Sequence, residues 1–172
     1  MNHEPSVTQL SRLTLRQETP KDRDWLLELY ADSRREELDA AGVPEPLRRP
    51  FIEQQFQIRQ AAYRSAFSDA EWSIVCVEEQ SVGRLILHRT SFEWRIVDLA
   101  LRPEYRGQHL GTQLLQRLQN EATQAARPLR LQVLPENPAV RLYRRLGFFV
   151  TSEENFRLQM EWNPPPPHAD QP

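Results

Sequence analysis

The stretch from Ile96 to Leu115, Ile-Val-Asp-Leu-Ala-Leu-Arg-Pro-Glu-Tyr-Arg-Gly-Gln-His-Leu-Gly-Thr-Gln-Leu-Leu, restricts the fold more than any other part of the chain. Its first half, Ile96 to Leu101, is short, apolar and partly β-branched, which reads as a mostly buried strand. Pro103 has no N–H for a ladder and ends that strand. A basic loop with two glycines runs from Arg106 to Gly111. From Leu110 onward, Leu110, Leu114, Leu115, Leu118 and Ala122 recur at helical spacing on one face. Strand, glycine-bearing loop and helix start form a recurring cradle for a phosphate. The first N–H groups of a helix lack internal partners, and the dipole adds positive charge there. Arg106 supplies a full charge, so a pyrophosphate is the natural guest.

Spacing tests two known phosphate loops. The Gly-Lys-Ser/Thr loop is excluded, because no lysine lies between Arg106 and Thr112. The G-x-G-x-x-G dinucleotide loop is excluded too, because Gly107 and Gly111 have no glycine between them. The run Leu99-Ala100-Leu101-Arg102-Pro103, followed by Arg106-Gly107-Gln108-His109-Leu110-Gly111, resembles the pyrophosphate loop of the GNAT superfamily of N-acetyltransferases. That loop reads Arg/Gln-x-x-Gly-x-Gly/Ala after a strand ending in Leu-Ala-Val-x-Pro. The one departure is His109, which stands where the family has its first motif glycine. Further on, Asn137-Pro-Ala-Val-Arg-Leu-Tyr143-Arg-Arg-Leu-Gly147-Phe148 resembles the second signature of the same family, an Asn and an Ala followed by Leu-Tyr-x-x-x-Gly-Phe. The resemblance covers roughly residues 72 to 162.

The rest of the chain fits one domain. Its 172 residues are 39% hydrophobic, enough for a core, and the net charge of −2 gives no basic footprint for nucleic acid. Cys76 is the single cysteine, set in Trp72-Ser-Ile-Val-Cys-Val77, and reads as a buried structural thiol. No apolar run reaches the roughly 18 residues of a membrane span. The first residues, Met1-Asn-His-Glu-Pro, do not look like a signal peptide, so a soluble cytoplasmic protein is expected. The four histidines are scattered without metal-ligand spacing, so no metal site is expected.

In chain order, residues 1–9 read as a flexible N-terminus and 10–163 as a single domain. Residues 164–172 read as a disordered proline-rich tail. A first strand fits Leu10 to Arg16. Thr19-Pro20-Lys21-Asp22 has the marks of a helix start. After the break at Gly42 to Pro46, a second helix runs from about Leu47 to Phe67, with Phe51, Ile52, Gln55, Phe56, Arg59, Ala62, Tyr63 and Phe67 at helical spacing. That stripe is core packing first and a substrate-pocket wall second. A meander follows: Trp72 to Glu78, a turn at Gln80-Ser81, Val82 to His88, and Phe92 to Leu101. After the phosphate loop and its helix come a strand at Leu129 to Leu134 and a short helix capped by Asn137 and closed by Gly147. Two last strands, Phe148 to Ser152 and Phe156 to Trp162, flank a turn at Glu153-Glu154-Asn155.

What the resemblance implies can be placed residue by residue. The fold would be α/β (α+β), a mixed and mostly antiparallel central sheet of about six to seven strands with about four flanking helices. Arg106, Gly107, Gln108, His109, Leu110, Gly111 and Thr112 would bind the pyrophosphate of coenzyme A through backbone N–H groups. Leu99 and Leu101 would pair with the pantetheine arm as an added strand would. An oxyanion would form near the backbone of Leu99, Ala100 and Leu101. Asn137 would hydrogen-bond the pantetheine region, or serve only as a helix cap. Tyr143 would protonate the departing thiolate. No motif supplies the base. Asp98, in an apolar strand that disfavours a bare carboxylate, is the first candidate and Glu93 the second, and an arginine partner would instead make either one structural.

The activity so implied is acetyl transfer from acetyl-CoA to a primary amine of a small molecule or peptide by direct attack. Two rivals stay open. One is a protein N-terminal or lysine acetylase. The other is a coenzyme-binding regulatory module without catalysis, which His109 would favour by crowding the loop. Neither nucleic acid nor a membrane is expected as a partner, and oligomeric state, a homodimer included, stays open.

Overall fold

The computed structural model of the chain describes residues 13–166. A seven-stranded sheet runs through the molecule, in the order β1 (Leu13–Gln17), β2 (Glu71–Val77), β3 (Gln80–Arg89), β4 (Trp94–Leu101), β5 (Leu129–Val133), β7 (Arg157–Trp162) and β6 (Phe149–Glu154). Every pairing is antiparallel except β4 with β5. That exception follows from the connection. Helix α3 (Leu110–Gln124) carries the chain back along the sheet between the two strands, and a crossover of that length delivers a parallel partner.

Helices cover both faces. α1 (Arg23–Ala40) and α2 (Glu45–Ala66) bury Leu26, Leu29, Leu38, Ile52 and Phe56 against Ile74 and Cys76 of β2. On the opposite face, α3 and α4 (Ala139–Arg145) pack on Val75, Leu85, Leu87, Leu129 and Leu131. The stripe expected on α3 is the one buried: Leu114, Leu115, Leu118 and Ala122 are fully inaccessible. Each such leucine contributes about 1.5–3 kcal/mol by leaving water. Cys76 is buried and free, as expected of a structural thiol.

Several boundaries move from their expected places. The β2–β3 turn is Glu78-Glu79, not Gln80-Ser81. Both residues have positive φ, 49° and 71°, and Val77 pairs directly with Gln80. The last hairpin turns at Asn155-Phe156, with φ of 51° and 61°, instead of over Glu153 to Asn155. In both hairpins a two-residue turn with positive φ matches the twist of the strands, and that demand outweighs composition. β4 starts at Trp94 instead of Phe92, because the Thr90 hydroxyl accepts the N–H groups of Phe92 and Glu93 and holds them in a turn. The N-terminal segment 1–9, the first residues of the expected first strand and the tail from residue 167 onward lie outside the described residues.

Two irregularities open a cleft through the sheet. β4 carries one residue too many against β3: Ile86 pairs with Asp98 and Leu87 with Ile96, so Val97 is a bulge. On the other side β4 pairs with β5 only at Trp94, Arg95 and Ile96. Beyond Ile96 the two strands part, and the rest of β4 has a neighbour on one side only.

Candidate active site

The open edge of β4 is defined by its hydrogen bonding. The Arg102 N–H bonds to the Val82 carbonyl, so residues of the same parity, Ala100 and Asp98, turn their backbone groups toward β3. Leu99 and Leu101 turn theirs toward the gap left by β5. The Leu101 carbonyl there accepts the Arg106 Nε at 3.1 Å. Leu99 and Leu101 point their side chains into the α3/α4 core, while Ala100 packs with α1 and α2.

The phosphate loop follows at the end of this edge. A single 3-10 turn, Pro103–Tyr105, is closed by the Arg106 N–H on the Pro103 carbonyl. From there the backbone stops satisfying itself. The first helical bond of α3 is Gln113 N–H to the His109 carbonyl at 2.9 Å. Among the described residues, the N–H groups of Gly107, Gln108, His109, Leu110, Gly111 and Thr112 have no protein acceptor. Consecutive free donors at a helix start, reached through left-handed residues, form an anion-binding concavity. Gly107 has φ 73° and His109 has φ 61°, ψ 6°. His109 therefore adopts the left-handed conformation for which the motif carries glycine. It is exposed, and its side chain makes no cap bond, so the concavity is kept despite the histidine. Gly111 serves a different purpose. A Cβ there would lie 3.2 Å from Leu142 Cδ2, so its bareness brings α3 close to α4.

α4 delivers the next two groups. The Asn137 side-chain oxygen accepts the Ala139 N–H at 2.9 Å and caps the helix, leaving its amide NH2 for a ligand. The cap and binding roles are thus compatible. Tyr143 is buried in the α3/α4 core, edge-on to Phe148 at 5.7 Å, and reaches the cleft between β4 and β5. Burial, helped by the charge of Asp98, pushes its phenol up to about 12. It is a neutral hydrogen-bond donor at any physiological pH.

The cleft widens on the α1/α2 face into a cavity of about 580 Å³ that holds Asp98, Tyr143, Asn137 and Leu99 in its wall. Asp98 Oδ1 accepts Arg59 Nη2 at 2.7 Å, and Arg84 Nη1 lies 3.8 Å from Oδ2, which receives no hydrogen bond among the described residues. Asp98 thus has the arginine partner that would make it structural, and it still lines the cavity, with Oδ2 free of hydrogen bonds among the described residues. Glu93, the other acid considered, is bound to Arg95 at 2.8 Å and to Arg130, at the far end of β4. Arg59 also donates Nε to the Tyr63 hydroxyl at 2.9 Å and sits over the rings of Tyr30 and Tyr63. The aromatic stripe of α2 therefore divides: Ile52 and Phe56 are core, Phe51 is exposed instead of packed, and Phe56, Tyr63 and Phe67 line the cavity.

Arg84 and Glu18 join the site without any motif to announce them. Arg84 is 5% exposed, lies 3.1 Å from Glu18 and donates to Gln60 at 2.7 Å. Burial pushes the Glu18 carboxyl up, and burial likewise pushes Arg84 down. A charged residue inside the apolar run Val82-Gly-Arg-Leu-Ile-Leu87 is the sequence signal that points to this buried pair.

Residues 69–150 match the family model of the acetyltransferase (GNAT) domain. That stretch holds the loop from Arg106 to Thr112 and the segment from Asn137 to Phe148 with its Tyr143, so the likeness to the GNAT domain falls on the residues that form the site. The fold of the chain is shared with PaiA N-acetyltransferase from Thermoplasma acidophilum, solved in complex with coenzyme A, at TM-score 0.66 and 19% identity, over 88% of this chain and 98% of that one. An acetyltransferase from Thermus thermophilus aligns at TM-score 0.61 and 19% identity, over 87% and 94% of the two chains. The ribosomal-protein-S18-alanine N-acetyltransferase from Escherichia coli aligns at 0.58 and 17%, over 92% and 98%. No curated protein matches by sequence. The mixed, mostly antiparallel sheet with four helices is the GNAT architecture that the two motifs implied. Among the described residues, no helix is long and apolar enough to cross a membrane, and no group of three His, Cys, Asp or Glu side chains is placed to hold a metal.

Proposed function

We propose that this GNAT domain transfers the acetyl group of acetyl-CoA to a primary amine of a small molecule by direct attack. The observation that carries the reading is the unbroken run of unpaired N–H groups from Gly107 to Thr112, which follows in the chain the open β4 edge whose Leu99 lines the same cleft as Tyr143. These features fit the parts of coenzyme A in order. The loop and Arg106 suit a pyrophosphate. Leu99 and Leu101 offer backbone groups to a pantetheine amide as a neighbouring strand would, and the Asn137 NH2 is available beside them. An acetyl thioester bound in this way supplies an activated acyl group at the cleft.

The protein's own groups then divide the work. The open backbone edge of β4 at Leu99 to Leu101, where the strand has no ladder partner on the β5 side, offers donors to a developing oxyanion. Tyr143 donates a hydrogen bond to the departing sulfur. Asp98 lines the cavity and keeps Oδ2 free of hydrogen bonds although Arg59 holds Oδ1, so it takes the proton that the attacking amine must lose, directly or through water. The N–C bond forms as the C–S bond breaks, and the amine's proton balances the charge on the thiolate.

α1 and α2 wall the cavity on the acceptor side, which favours a small amine over an extended peptide. The left-handed conformation of His109 supports coenzyme binding at this loop over a loop crowded by the imidazole. Calorimetric titration of acetyl-CoA and coenzyme A tests the first half: saturable micromolar binding is expected, and none at millimolar ligand refutes it. Thiol release with a panel of small amines and peptides tests the second half. Release with peptides alone makes the chain a protein acetylase, and release with neither leaves a binding module.

A further inference from the structure

The acceptor side of the cavity carries more positive charge than it can balance. Five arginines line it, Arg34, Arg59, Arg84, Arg95 and Arg157, against two acids, Glu37 and Asp98. Glu18 and Glu93, which stand behind the wall and pair with Arg84 and Arg95, bring the acids to four. One guanidinium is still in excess. Glu18 is also shared with Arg64, and Glu93 with Arg130. Arg157 makes no hydrogen bond or ion pair among the described residues, and its charge is felt by Tyr63 across the cavity. Arg59 uses Nε on Tyr63 and Nη2 on Asp98, which leaves Nη1 without a partner among the described residues. Behind them the buried Arg84 has an Nε with no hydrogen bond, although Glu18 is 3.1 Å away.

Guanidinium donors that a fold leaves open inside a cavity suit a planar anion, because two N–H groups of a guanidinium match the two oxygens of a carboxylate. The carboxylate of Asp98 and the open guanidiniums of Arg59 and Arg157 line the same cavity, and the two kinds of group suit opposite ends of one zwitterion. We infer that the acceptor is a small amino carboxylate, its amine directed to Asp98 Oδ2 and its carboxylate held by Arg59 and Arg157 with Arg84 behind. This rests on the acetyl-transfer reading for its chemistry, but the anion-binding wall stands or falls by itself. Arg157 is a specificity residue here: it is exposed, at the start of β7, and its side chain makes no hydrogen bond or ion pair among the described residues, so its removal leaves the fold intact.

The test is calorimetric and needs no turnover. Glycine, β-alanine, 4-aminobutyrate and L-phenylalanine, each beside its own amide, are titrated into the full chain saturated with coenzyme A. At least one acid is expected to bind about ten- to a hundredfold more tightly than its amide, the effect of a charge-assisted hydrogen bond. Arg157→Gln should reduce that ratio about tenfold without changing the affinity of the amide, and Arg157→Lys should restore part of it. Amides binding as well as acids, or no acid binding at millimolar concentration, overturns the inference. Thiol release from acetyl-CoA, measured beside it, separates the two failures. Acid-selective binding without release refutes acetyl transfer and leaves the anion wall. Release with amides and uncharged amines as readily as with acids refutes the wall and leaves acetyl transfer.

Discussion

Replacing Tyr143 with phenylalanine isolates one oxygen, and its environment sets what the loss should be. The hydroxyl makes no hydrogen bond to any described residue, and it reaches the cleft. The aromatic ring, with its edge contact to Phe148, is untouched by the change. Stability should therefore stay within about 0.5 kcal/mol of the parent, since neither a cavity nor an orphaned partner is created. The catalytic loss is bounded by acidity. A phenol held at about 12 is a poor proton donor to a thiolate whose own conjugate acid lies near 8.5. Full transfer would be uphill by about 5 kcal/mol, so the phenol contributes as a hydrogen-bond donor to developing charge and not as a free acid. Such a bond is worth about 1.5–3 kcal/mol, so kcat should fall roughly 10- to 150-fold. The KM for acetyl-CoA should stay within about twofold, because the bond matters only when the sulfur becomes negative. The pH profile between about 6 and 9 should keep its shape, the phenol being neutral throughout. Steady-state thiol release across that range, with thermal unfolding as the control, reads all three. Unchanged turnover would refute the assignment, and an equal loss in acetyl-CoA affinity would make Tyr143 a binding residue.

Two shorter predictions follow from backbone and charge. His109→Gly relieves a left-handed side-chain residue at φ 61°, worth about 1 kcal/mol before the extra freedom of glycine in the unfolded chain is subtracted, so Tm should rise by about 1–3 °C. Coenzyme A affinity by calorimetry should change less than about threefold, and a large gain would mean that the imidazole obstructs the loop. Asp22 accepts Arg16 through both oxygens, at 2.9 and 2.6 Å, and also the Thr19 N–H and hydroxyl. The Arg16 hydrogen bonds, with the bonds from Thr19, hold its carboxyl well below the usual carboxylate range. A depressed folded value stabilises the protein above the unfolded value of about 3.9, and that stability is lost as pH falls below it. Thermal unfolding from about pH 6 down to about pH 2 should therefore show a steep drop below about pH 4, shallower in Asp22→Asn; equal slopes would assign the drop to other carboxylates.

What was legible in the chain was what neighbours in sequence decide. The stop at Pro103 and the stripe Leu110, Leu114, Leu115, Leu118 and Ala122 follow from proline chemistry and helical period, and the structure has them in those places, while the apolar run from Ile96 is a strand as expected but only half-buried beyond Ile96, because its edge is open. The Asn137 cap and the Gly147 terminus, with φ of 87°, were equally local. The turn residues were less legible. Glu78 and Glu79 resemble no left-handed turn by type, and they take positive φ because the pairing of β2 with β3 leaves them no other course. Least legible was the acceptor side. Arg59 sits on α2 among aromatic residues and reads as the polar edge of a core stripe. Only when β4 brings Asp98 beneath it, 39 residues later in the chain, does it become the anchor of a carboxylate.

The open gap between β4 and β5 explains why local and distant information meet at this site. A continuous strand pair would satisfy Leu99 and Leu101 and leave no edge for a ligand to complete. The Val97 bulge turns Asp98 toward α2, while the three-residue pairing with β5 leaves the two strands splayed at their carboxyl ends. Parallel strands joined by a crossover helix present that helix's free N–H groups at the same end. The loop, the edge and the Tyr143 phenol thus converge because one topological feature, a single parallel pair in an antiparallel sheet, puts a strand end, a helix start and a gap together. The residue types along Ile96–Leu115 encode the first two. The gap comes from β5 pairing no further than Leu131 with β4 and from the bulge, and both are properties of the assembled sheet. The proposed function uses backbone groups that the fold leaves unpaired, and the motif residues are those that shape that edge: Gly107 and His109 by turning left-handed, Gly111 by letting α4 approach.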